Sequence, residues 1–370
     1  MKEVQLREVV DVYDNLRKPL STMTRLGIQG KYPYYSANGA IDSINKFIFS
    51  GEYILVAEDG SVRTDDGKPV VKLTKKDEQF WVSNHAHVLR AKEGILNKYL
   101  YYNLSQININ QIITGAVQLK VSQENLLKLK AKMHSSSEQR HIVDTIGTID
   151  DLIEINNRIF SFLINLALIK YLSFKAPKVP ATNIVQSTFS CDWGKDKEEL
   201  DVVPCLMIRG TDINKINNGD LPMPPMRYVA SQKLKLLQPF DIAIEISGGS
   251  PTQSTGRCCF ITKALLNIFQ LPISTSGFSR AIRCNDNASA VSLYFELQKE
   301  YKIKGFFDYQ NGTSGLRNLN LRLLLNELNV KKLSSDQSEL LEDLVNRAYQ
   351  KVNENAMLKE EKGILLKKYF

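Results

Sequence analysis

The sequence predicts an α+β protein with an internal duplication, in which two mixed α/β domains are each followed by a long helix. The phrase SSEQ at residues 136–139 returns as SSDQ at residues 334–337, 198 residues later. At the same offset, ALIKYL at residues 167–172 falls on LLKKYF at residues 365–370. A period this long is not that of a solenoid, so it indicates a duplicated domain.

The segments that precede the two helices have the composition of β-structure. Residues 50–90 contain GEYILVAEDGSV, GKPVVKL and FWVSNHAHVLR, and residues 201–285 contain VVPCLMIRGTDI, FDIAIEISGGS and GRCCFITKALL. Such short apolar runs, separated by Gly and Asp, are typical of strands and turns. Each half is therefore predicted to be a mixed α/β globule.

The first long helix is predicted to start at Ser137, because a serine side chain accepts amide hydrogen bonds of a first turn and Glu138 suits the helix dipole. Its apolar residues recur at 4-3-4 spacing, which is typical of a helix that packs lengthwise on another helix. The second helix has a weaker seam, interrupted by NENAMLKEEKG. We assign helix pairing or partner docking to Ile142, Ile146, Ile149, Ile153, Leu163, Leu341, Leu344, Ala348 and Val352.

Domain limits follow from these elements. The stretch KAPKVPATN places two prolines directly after the first helix and is predicted to be a linker. The predicted segments are a first domain at 1–134, a first helix at 135–174, the linker at 175–183, a second domain at 184–333 and a second helix at 334–370.

Composition excludes several classes of protein. An apolar content of 43% with 24% charged residues is that of an ordinary globular protein, not of a disordered one. The first 20 residues contain no apolar core of signal-peptide length, and the most apolar stretch is interrupted by Asn165 and Lys170. Five cysteines without a CxxC pair predict neither a disulfide framework nor a zinc knuckle. We expect a cytoplasmic protein with no membrane partner.

The positive charge is confined to the two predicted globules. Residues 1–134 carry 19 basic and 14 acidic side chains (+5), and residues 175–333 carry 20 and 14 (+6). The helices at 135–174 and 334–370 carry −2 and −1. This distribution is that of two polyanion-binding domains on a spacer, although a generic basic surface would give it too.

The first half resembles a known family in its motifs. GKYPYYSANGAIDSINKFIFSGEYILVAEDGSV at residues 30–62 and FWVSNHAHVLR at residues 80–90 resemble the target recognition domain of the specificity subunits of Type I restriction–modification systems. GAVQLKVSQENLLKLK and the SSEQ helix are similar to the segments that follow in that family, and GLRNLNLRLLL with SSDQ repeats them. The resemblance extends over essentially the whole chain and is more specific in the first half.

The resemblance implies a fold and a set of partners. Two target recognition domains would be separated by two long antiparallel, coiled-coil-like helices with pseudo-twofold internal symmetry. Such a subunit is non-catalytic, recognises an asymmetric bipartite double-stranded DNA target, and docks two methyltransferase subunits and, through them, restriction subunits. No cofactor is expected in this chain, and S-adenosylmethionine is expected in the methyltransferase partners. The proline-rich segments that usually precede the family's two conserved helices are missing here. This departure concerns how tightly these helices contact the methyltransferase.

Candidate DNA contacts combine basic, amide and aromatic side chains in predicted loops and strand ends, where they could contact phosphates or base edges. The tyrosines could equally be core residues, and any arginine an ordinary surface charge. No metal site is predicted, because His85 and His87 lack a third ligand at a suitable spacing. The candidates are Arg25, Lys31, Tyr34, Asn38, Asn84, His85, Gln118, Lys120, Arg209, Arg227, Ser250, Arg257, Arg280 and Arg317.

Catalytic motifs are not found in the sequence. GGSPTQSTGRCC lacks the GK[ST] ending of a phosphate-binding loop, and no Asn/Asp-Pro-Pro-Tyr/Phe motif of an amino-methyltransferase occurs. Asp150, Asp151 and Glu154 are interpreted as a helix face. Three alternatives stay open: a nuclease or methyltransferase with an unrecognised active site, a non-catalytic coiled-coil scaffold, and another nucleic-acid-binding protein, including an RNA-binding one.

Overall fold

The computed structural model describes residues 2–115, 118–250, 253–312 and 317–370. The chain forms two compact units: unit 1 is Met1–Asp151 with Lys359–Phe370, and unit 2 is Leu152–Leu358. The motifs at residues 115–130, 248–259 and 315–325 each include residues outside the described ranges. The domain limits drawn from the sequence stay predictions.

Unit 1 is a mixed α/β structure. The helices are α1 (Leu6–Val9), α2 (Thr22–Leu26), α3 (Asn97–Leu104), α4 (Gln123–Leu127) and the first part of α5 (Ser136–Ser173). The strands are β1 (Lys2–Gln5), β2 (Val10–Val12), β3 (Gln29–Ser36), β4 (Gly39–Ile44), β5 (Phe49–Ser50), β6 (Ile54–Ala57), β7 (Val71–Leu73), β8 (Gln79–Val82), β9 (Ala86–Ala91), β10 (Ile113–Thr114), β11 (Lys120–Val121) and β12 (Lys130–Met133).

Two four-stranded sheets organise this unit. One is antiparallel with the order β2-β9-β6-β7, and the other has the order β4-β3-β8-β5 with β3 and β8 parallel. All four residues of β6 are buried, which explains the continuous apolar run in the sequence. The β3–β4 hairpin turns at Gly39, whose φ of +103° is a conformation that favours glycine.

Unit 2 is built from the same kinds of elements. Its helices are the rest of α5, then α6 (Gly210–Asn217), α7 (Lys263–Leu266), α8 (Asn287–Lys304), α9 (Leu321–Glu327) and most of α10 (Ser335–Tyr369). Its strands are β13 (Lys178–Pro180), β14 (Val185–Phe189), β15 (Val202–Ile208), β16 (Met226–Ala230), β17 (Ile242–Glu245), β18 (Ser247–Gly248), β19 (Cys258–Phe260), β20 (Ile273–Thr275), β21 (Ser279–Cys284), β22 (Gln310–Asn311), β23 (Arg317–Leu319) and β24 (Asn329–Lys331).

The topology of unit 1 recurs in unit 2. The antiparallel sheet β14-β21-β17-β19 has the same first-fourth-second-third order as β2-β9-β6-β7, and β16-β15-β20 repeats β4-β3-β8 with the parallel pair in the same place. Helices α4 and α9 begin 198 residues apart, and strands β12 and β24 end 198 residues apart. The predicted duplication is confirmed, and it extends into sheets whose sequences do not visibly align.

The repeated serine phrase begins both long helices as a capping box. Ser135 Oγ accepts the Glu138 N–H at 3.4 Å, while Glu138 Oε2 accepts the Ser135 N–H at 2.9 Å. Ser334 and Gln337 make the same reciprocal pair, at 3.3 and 3.1 Å. Each pair satisfies two backbone donors that a helix start leaves free. The expected start at Ser137 was wrong by two residues, because the capping serine is Ser135.

The two long helices pack against each other within each unit. In unit 1, Ile142 and Ile146 are buried beside Leu366, and Lys362 pairs with Asp150 at 2.5 Å. In unit 2, the rings of Phe160 and Tyr349 lie 5.8 Å apart. In both units, residues of increasing number on α5 contact residues of decreasing number on α10. The two helices are therefore antiparallel. Of the other predicted seam residues, Ile149, Leu341, Ala348 and Val352 are buried and Ile153, Leu163 and Leu344 are half-buried.

Each unit has its own core. The largest cluster of unit 2 joins the sheet residues Ile242, Ile244 and Phe260 to α8 and to the seam of the long helices. Unit 1 buries Leu6, Ile54 and other aliphatic side chains between the β2-β9-β6-β7 sheet and α3. The predicted α+β class with long paired helices is thus confirmed.

Candidate nucleic-acid interface

The turn that contains Glu58, Asp59 and Gly60 joins the end of the first sheet of unit 1 to the loop before α4. The N–H of Gly60 donates to the carbonyl of Leu119 at 2.9 Å, and the N–H of Val121 donates to the carbonyl of Glu58 at 2.8 Å. Gly60 has a φ of +74°, which explains the glycine after the two acids. The turn therefore holds the loop that carries Gln118 and Lys120.

An ionic network around the buried His87 lies behind this turn. His87 Nδ1 is 2.6 Å from Asp14 Oδ2, and its Nε2 is 2.8 Å from the carbonyl oxygen of Val121. Asp14 Oδ1 also accepts the Val88 N–H at 2.8 Å. Both ring nitrogens of His87 therefore lie within hydrogen-bonding distance of an oxygen, and the imidazole ring is held from two sides.

Arg17 completes the network. Its guanidinium lies 2.6 Å from Glu58 Oε2 and 3.3 Å from Asp14 Oδ2, and it donates to the carbonyl of Ala86 at 2.9 Å. Lys120, half exposed, reaches Glu58 Oε1 at 3.2 Å. The side chains of Asp14 and Glu58 are only 9% and 14% exposed, and carboxylates so shielded from water need charged partners. The network therefore fixes the β9 end, the acidic turn and the Lys120 loop together.

The same residues could be mistaken for a metal site. Asp14, Glu58 and His87 offer ligand atoms within 4.8 Å of one another, so the third ligand that the sequence did not reveal is present in space. The Arg17 guanidinium, however, already contacts both carboxylates. A divalent cation would have to displace this fixed positive charge, so we interpret the cluster as an ion-pair network.

His85 lies in a different environment from His87. It precedes β9 in a turn, is 46% exposed, and its Nδ1 is 2.7 Å from Asp59 Oδ2. Although His85 and His87 are two residues apart, they do not share one face of a strand, because the strand starts only at Ala86. Asn84, beside it, is exposed.

The remaining candidates of unit 1 divide into surface and structural residues. Lys31, Asn38 and Gln118 are exposed, with Asn38 at the tip of the β3–β4 hairpin. Arg25 is tied to Asp42 at 3.0 Å and lies over the ring of Tyr34. Tyr34 itself is 1% exposed, and its hydroxyl accepts the Leu20 N–H, so it is a core residue and no longer a DNA-contact candidate.

In unit 2, three candidate arginines are held by carboxylates. Arg209 binds the buried Asp212 at 2.8 Å, and Arg257 binds the buried Glu245 through two nitrogens at 2.6 and 3.0 Å. Both contacts raise the pKa of the guanidinium. Arg227 pairs with Asp196 and lies over the Trp193 ring. These arginines orient loops, and their charge is already balanced inside the protein.

The other candidates of unit 2 lie at the surface or close to it. Arg280 is exposed at the start of β21, Arg317 is half-buried in β23, and Ser250 is half-buried in the loop whose residues 251–252 lie outside the described part of the chain. Sequence reasoning missed Asp14, Arg17 and Arg322, because nothing in their local sequence distinguishes them. Only the fold brings each of them beside a candidate.

Helix α5 also carries an apolar stripe on its outer side within unit 2. Leu152, Ile155, Phe162 and Ile169 are 44%, 50%, 63% and 63% exposed, and Ile159 and Leu166 continue the same 3-4 spacing as half-buried residues. This is a second heptad seam, separate from the one that faces α10. By length and composition alone α5 could also cross a membrane, a test that core helices of soluble proteins pass as well.

Comparisons with known proteins agree with the geometry. Residues 1–161 match the family model described as Type I restriction modification DNA specificity domain. A 147-residue segment is 31% identical to a putative type I restriction enzyme specificity subunit of Haemophilus influenzae and covers 40% of this chain but only 37% of that relative. The crystal structure of a type I restriction–modification S subunit from M. genitalium shares the fold, with a TM-score of 0.53 at 19% identity over 100% of this chain and 96% of that one. Residues 1–161, somewhat less than half of the chain, are therefore similar to the Type I restriction modification DNA specificity domain, and the likeness to the solved S subunit is one of fold.

Proposed function

We propose that the chain is the DNA-recognition subunit of a Type I restriction–modification complex and reads an asymmetric, bipartite double-stranded target. The observation that carries this proposal is one topology present twice with different polar residues at matched positions. In unit 1, His87 on β9 is the cross-strand partner of Val56, two positions from the Leu89–Ile54 pair. In unit 2, Arg280 on β21 is the cross-strand partner of Ile244, two positions from the Ile282–Ile242 pair. Two modules that share a scaffold but not their polar side chains suit two different half-sites.

The apolar stripe on α5 supports docking of methyltransferase subunits. Its residues keep heptad spacing over more than two heptads, and four of them are at least 44% exposed. A helix with one seam packed on α10 and a second seam open to solvent is suited to receive further helices. The restriction subunits would join through the methyltransferase.

The chemistry is assigned to the partners. In this proposal the chain holds no catalytic group, S-adenosylmethionine is bound by the methyltransferase subunits, and the complex works in the cytoplasm. The ionic network of Asp14, Arg17, Glu58 and His87 fits this division, because its groups are engaged with one another.

The test is a methylation map of the host genome with and without this gene, made with the methyltransferase expressed from a plasmid. Loss of one gapped, asymmetric methylated-adenine motif supports the proposal and supplies both half-sites. Retention of every motif contradicts it. Methylation or cleavage of DNA by the purified chain alone would instead support the enzyme alternative.

A further inference from the structure

A cleft of about 340 Å³ opens in unit 2 between the edge of the antiparallel sheet and α9. Its polar wall consists of Thr182, Thr188, Arg280, Arg322 and Asn326, over a floor of three aliphatic side chains. Arg322 and Asn326 are four residues apart on α9 and therefore share one helix face. The two arginines come from different elements and meet only in the folded chain.

These arginines differ from most others of the unit. Residues 175–333 contain seven arginines, and four of them are paired with carboxylates: Arg209 with Asp212, Arg227 with Asp196, Arg257 with Glu245 and Arg283 with Asp241. Within the described ranges, the guanidinium groups of Arg280 and Arg322 make no hydrogen bond or ion pair with the protein. The cleft thus combines two exposed, uncompensated positive charges.

The lining explains why the charges stay uncompensated. Among the described residues that line the cleft there is no aspartate or glutamate. Unit 1 differs at the matched sheet position, where His87 is met by Asp14 and where Glu58 and Arg17 lie alongside. At this position unit 1 places carboxylate side chains of its own, whereas unit 2 presents arginine guanidinium groups, threonine hydroxyl groups and an asparagine amide.

We propose that this cleft binds a phosphate group of the DNA backbone, an inference that rests on the proposed function. Arginine presents paired N–H donors that match phosphate oxygens, and threonine hydroxyl and asparagine amide groups are common further donors to DNA phosphates. A free phosphate would be recognised by the same groups. The backbone is favoured because the cleft lies in a domain of net charge +6 that already suits a polyanion.

The experiment compares full-length Arg280→Gln, Arg322→Gln and the double variant with the unchanged chain. The matched control is Arg347→Gln, which removes the same charge from an exposed arginine on α10 that pairs with Asp343. Binding to a duplex that carries the target is measured over a range of salt concentrations. Thermal melts show that each variant is folded, as expected for exposed side chains.

Each cleft substitution is expected to weaken binding roughly tenfold and to reduce the slope of log affinity against log salt by about one, with about two for the double variant. The loss should be the same for specific and unrelated duplexes, since a phosphate contact carries no sequence information. The control should keep the slope of the unchanged chain.

Two results would overturn the inference. An unchanged slope in the double variant excludes a backbone contact at this cleft. If the chain binds inorganic phosphate in a calorimetric titration, the double variant does not, and the DNA slope stays unchanged, then the cleft serves free phosphate instead. Failure of the unchanged chain to bind DNA at all is a different outcome, because it contradicts the proposed function itself.

Discussion

Asn156 donates its side-chain N–H to Asn355 Oδ1 at 3.0 Å inside the helix pair of unit 2, and Asn355 in turn donates to Asn157 at 2.8 Å. Asn156 and Asn355 are 7% and 3% exposed. Asn157 and Asn355 are also 198 residues apart, so a position of the first helix contacts its own repeat in the second. A buried amide pair of this kind selects one register of two packed helices, because any shift leaves the amides unpaired.

We expect Asn355→Leu to lower the free energy of unfolding by about 1–3 kcal/mol, since it strands a buried amide of Asn156. The double variant Asn156→Leu/Asn355→Leu should recover most of that loss, because both buried amides are then gone. Urea unfolding of the full chain measures both. If the double variant loses as much unfolding free energy as the Asn156→Leu and Asn355→Leu variants lose together, the two residues are not coupled.

Substitution of Asp14 by Asn should destabilise unit 1 by about 3 kcal/mol, because Arg17 and His87, whose side chains are 13% and 1% exposed, lose the carboxylate that they share. Asp66→Asn is the control, since Asp66 is 61% exposed in its pair with Lys68 and should matter by less than about 1 kcal/mol. Hydrogen exchange at β9 reports the change locally. Equal effects of the two substitutions would contradict the structural role of the network.

The thiols should be unreactive in the folded protein. Burial raises the pKa of Cys205, Cys258 and Cys284 to about 12, and that of Cys259 well above its usual range. At about pH 8 a thiol reagent should label all five cysteines only after denaturation. Ser137→Cys, at an exposed position of α5, is the positive control. Rapid labelling of a native cysteine would contradict the packing of unit 2.

Stability should fall in alkaline solution. Burial raises the pKa of Tyr35, Tyr102 and Tyr171 as well as those of the thiols. The carboxylates that accept hydrogen bonds from the three tyrosine hydroxyl groups raise the tyrosine pKa values further. Above about pH 9 the unfolded chain loses these protons while the folded chain keeps them, so unfolding becomes more favourable as pH rises. A urea midpoint that is constant from about pH 8 to 11 would contradict this prediction.

Charge introduced into the apolar stripe should prevent docking of methyltransferase subunits without unfolding the chain. We expect Phe162→Glu to abolish co-purification with the methyltransferase, because a carboxylate would be buried in an apolar helix contact. Ser161→Glu is the matched control, since the neighbouring residue points about 100° away around the helix. If both variants co-purify normally, methyltransferase docking does not use this stripe.

Much of the architecture could be predicted from local sequence. The presence of two long helices, observed at Ser136–Ser173 and Ser335–Tyr369, could be predicted because heptad spacing and serine caps are short-range signals. The paired phrase also predicted the duplication. The exact cap was misplaced, since three consecutive serines at residues 135–137 can each accept a first-turn amide and only the reciprocal bond to Glu138 selects Ser135.

Individual site residues were predicted less well. Tyr34 and Lys31 lie three residues apart in one motif, yet one is core and the other is exposed. Arg257 and Arg280 are equivalent by residue type, yet Arg257 is neutralised by Glu245, whereas the described residues that line the cleft around Arg280 include no carboxylate. Burial and pairing depend on residues distant in the chain, and no local pattern encodes them.

The sequence by itself determined the periodic features: the two heptad helices, their serine caps, the β-rich segments between them and the confinement of positive charge to two domains. The tertiary structure alone decided which charges are available. It brought Asp14, Glu58 and Arg17 around His87, and it placed Arg280 and Arg322 in one cleft whose lining, over the part of the chain that the structure describes, contains no acid. The physical reason is that helix and strand patterns arise from contacts a few residues apart, whereas charge compensation requires groups tens of residues apart to meet in space.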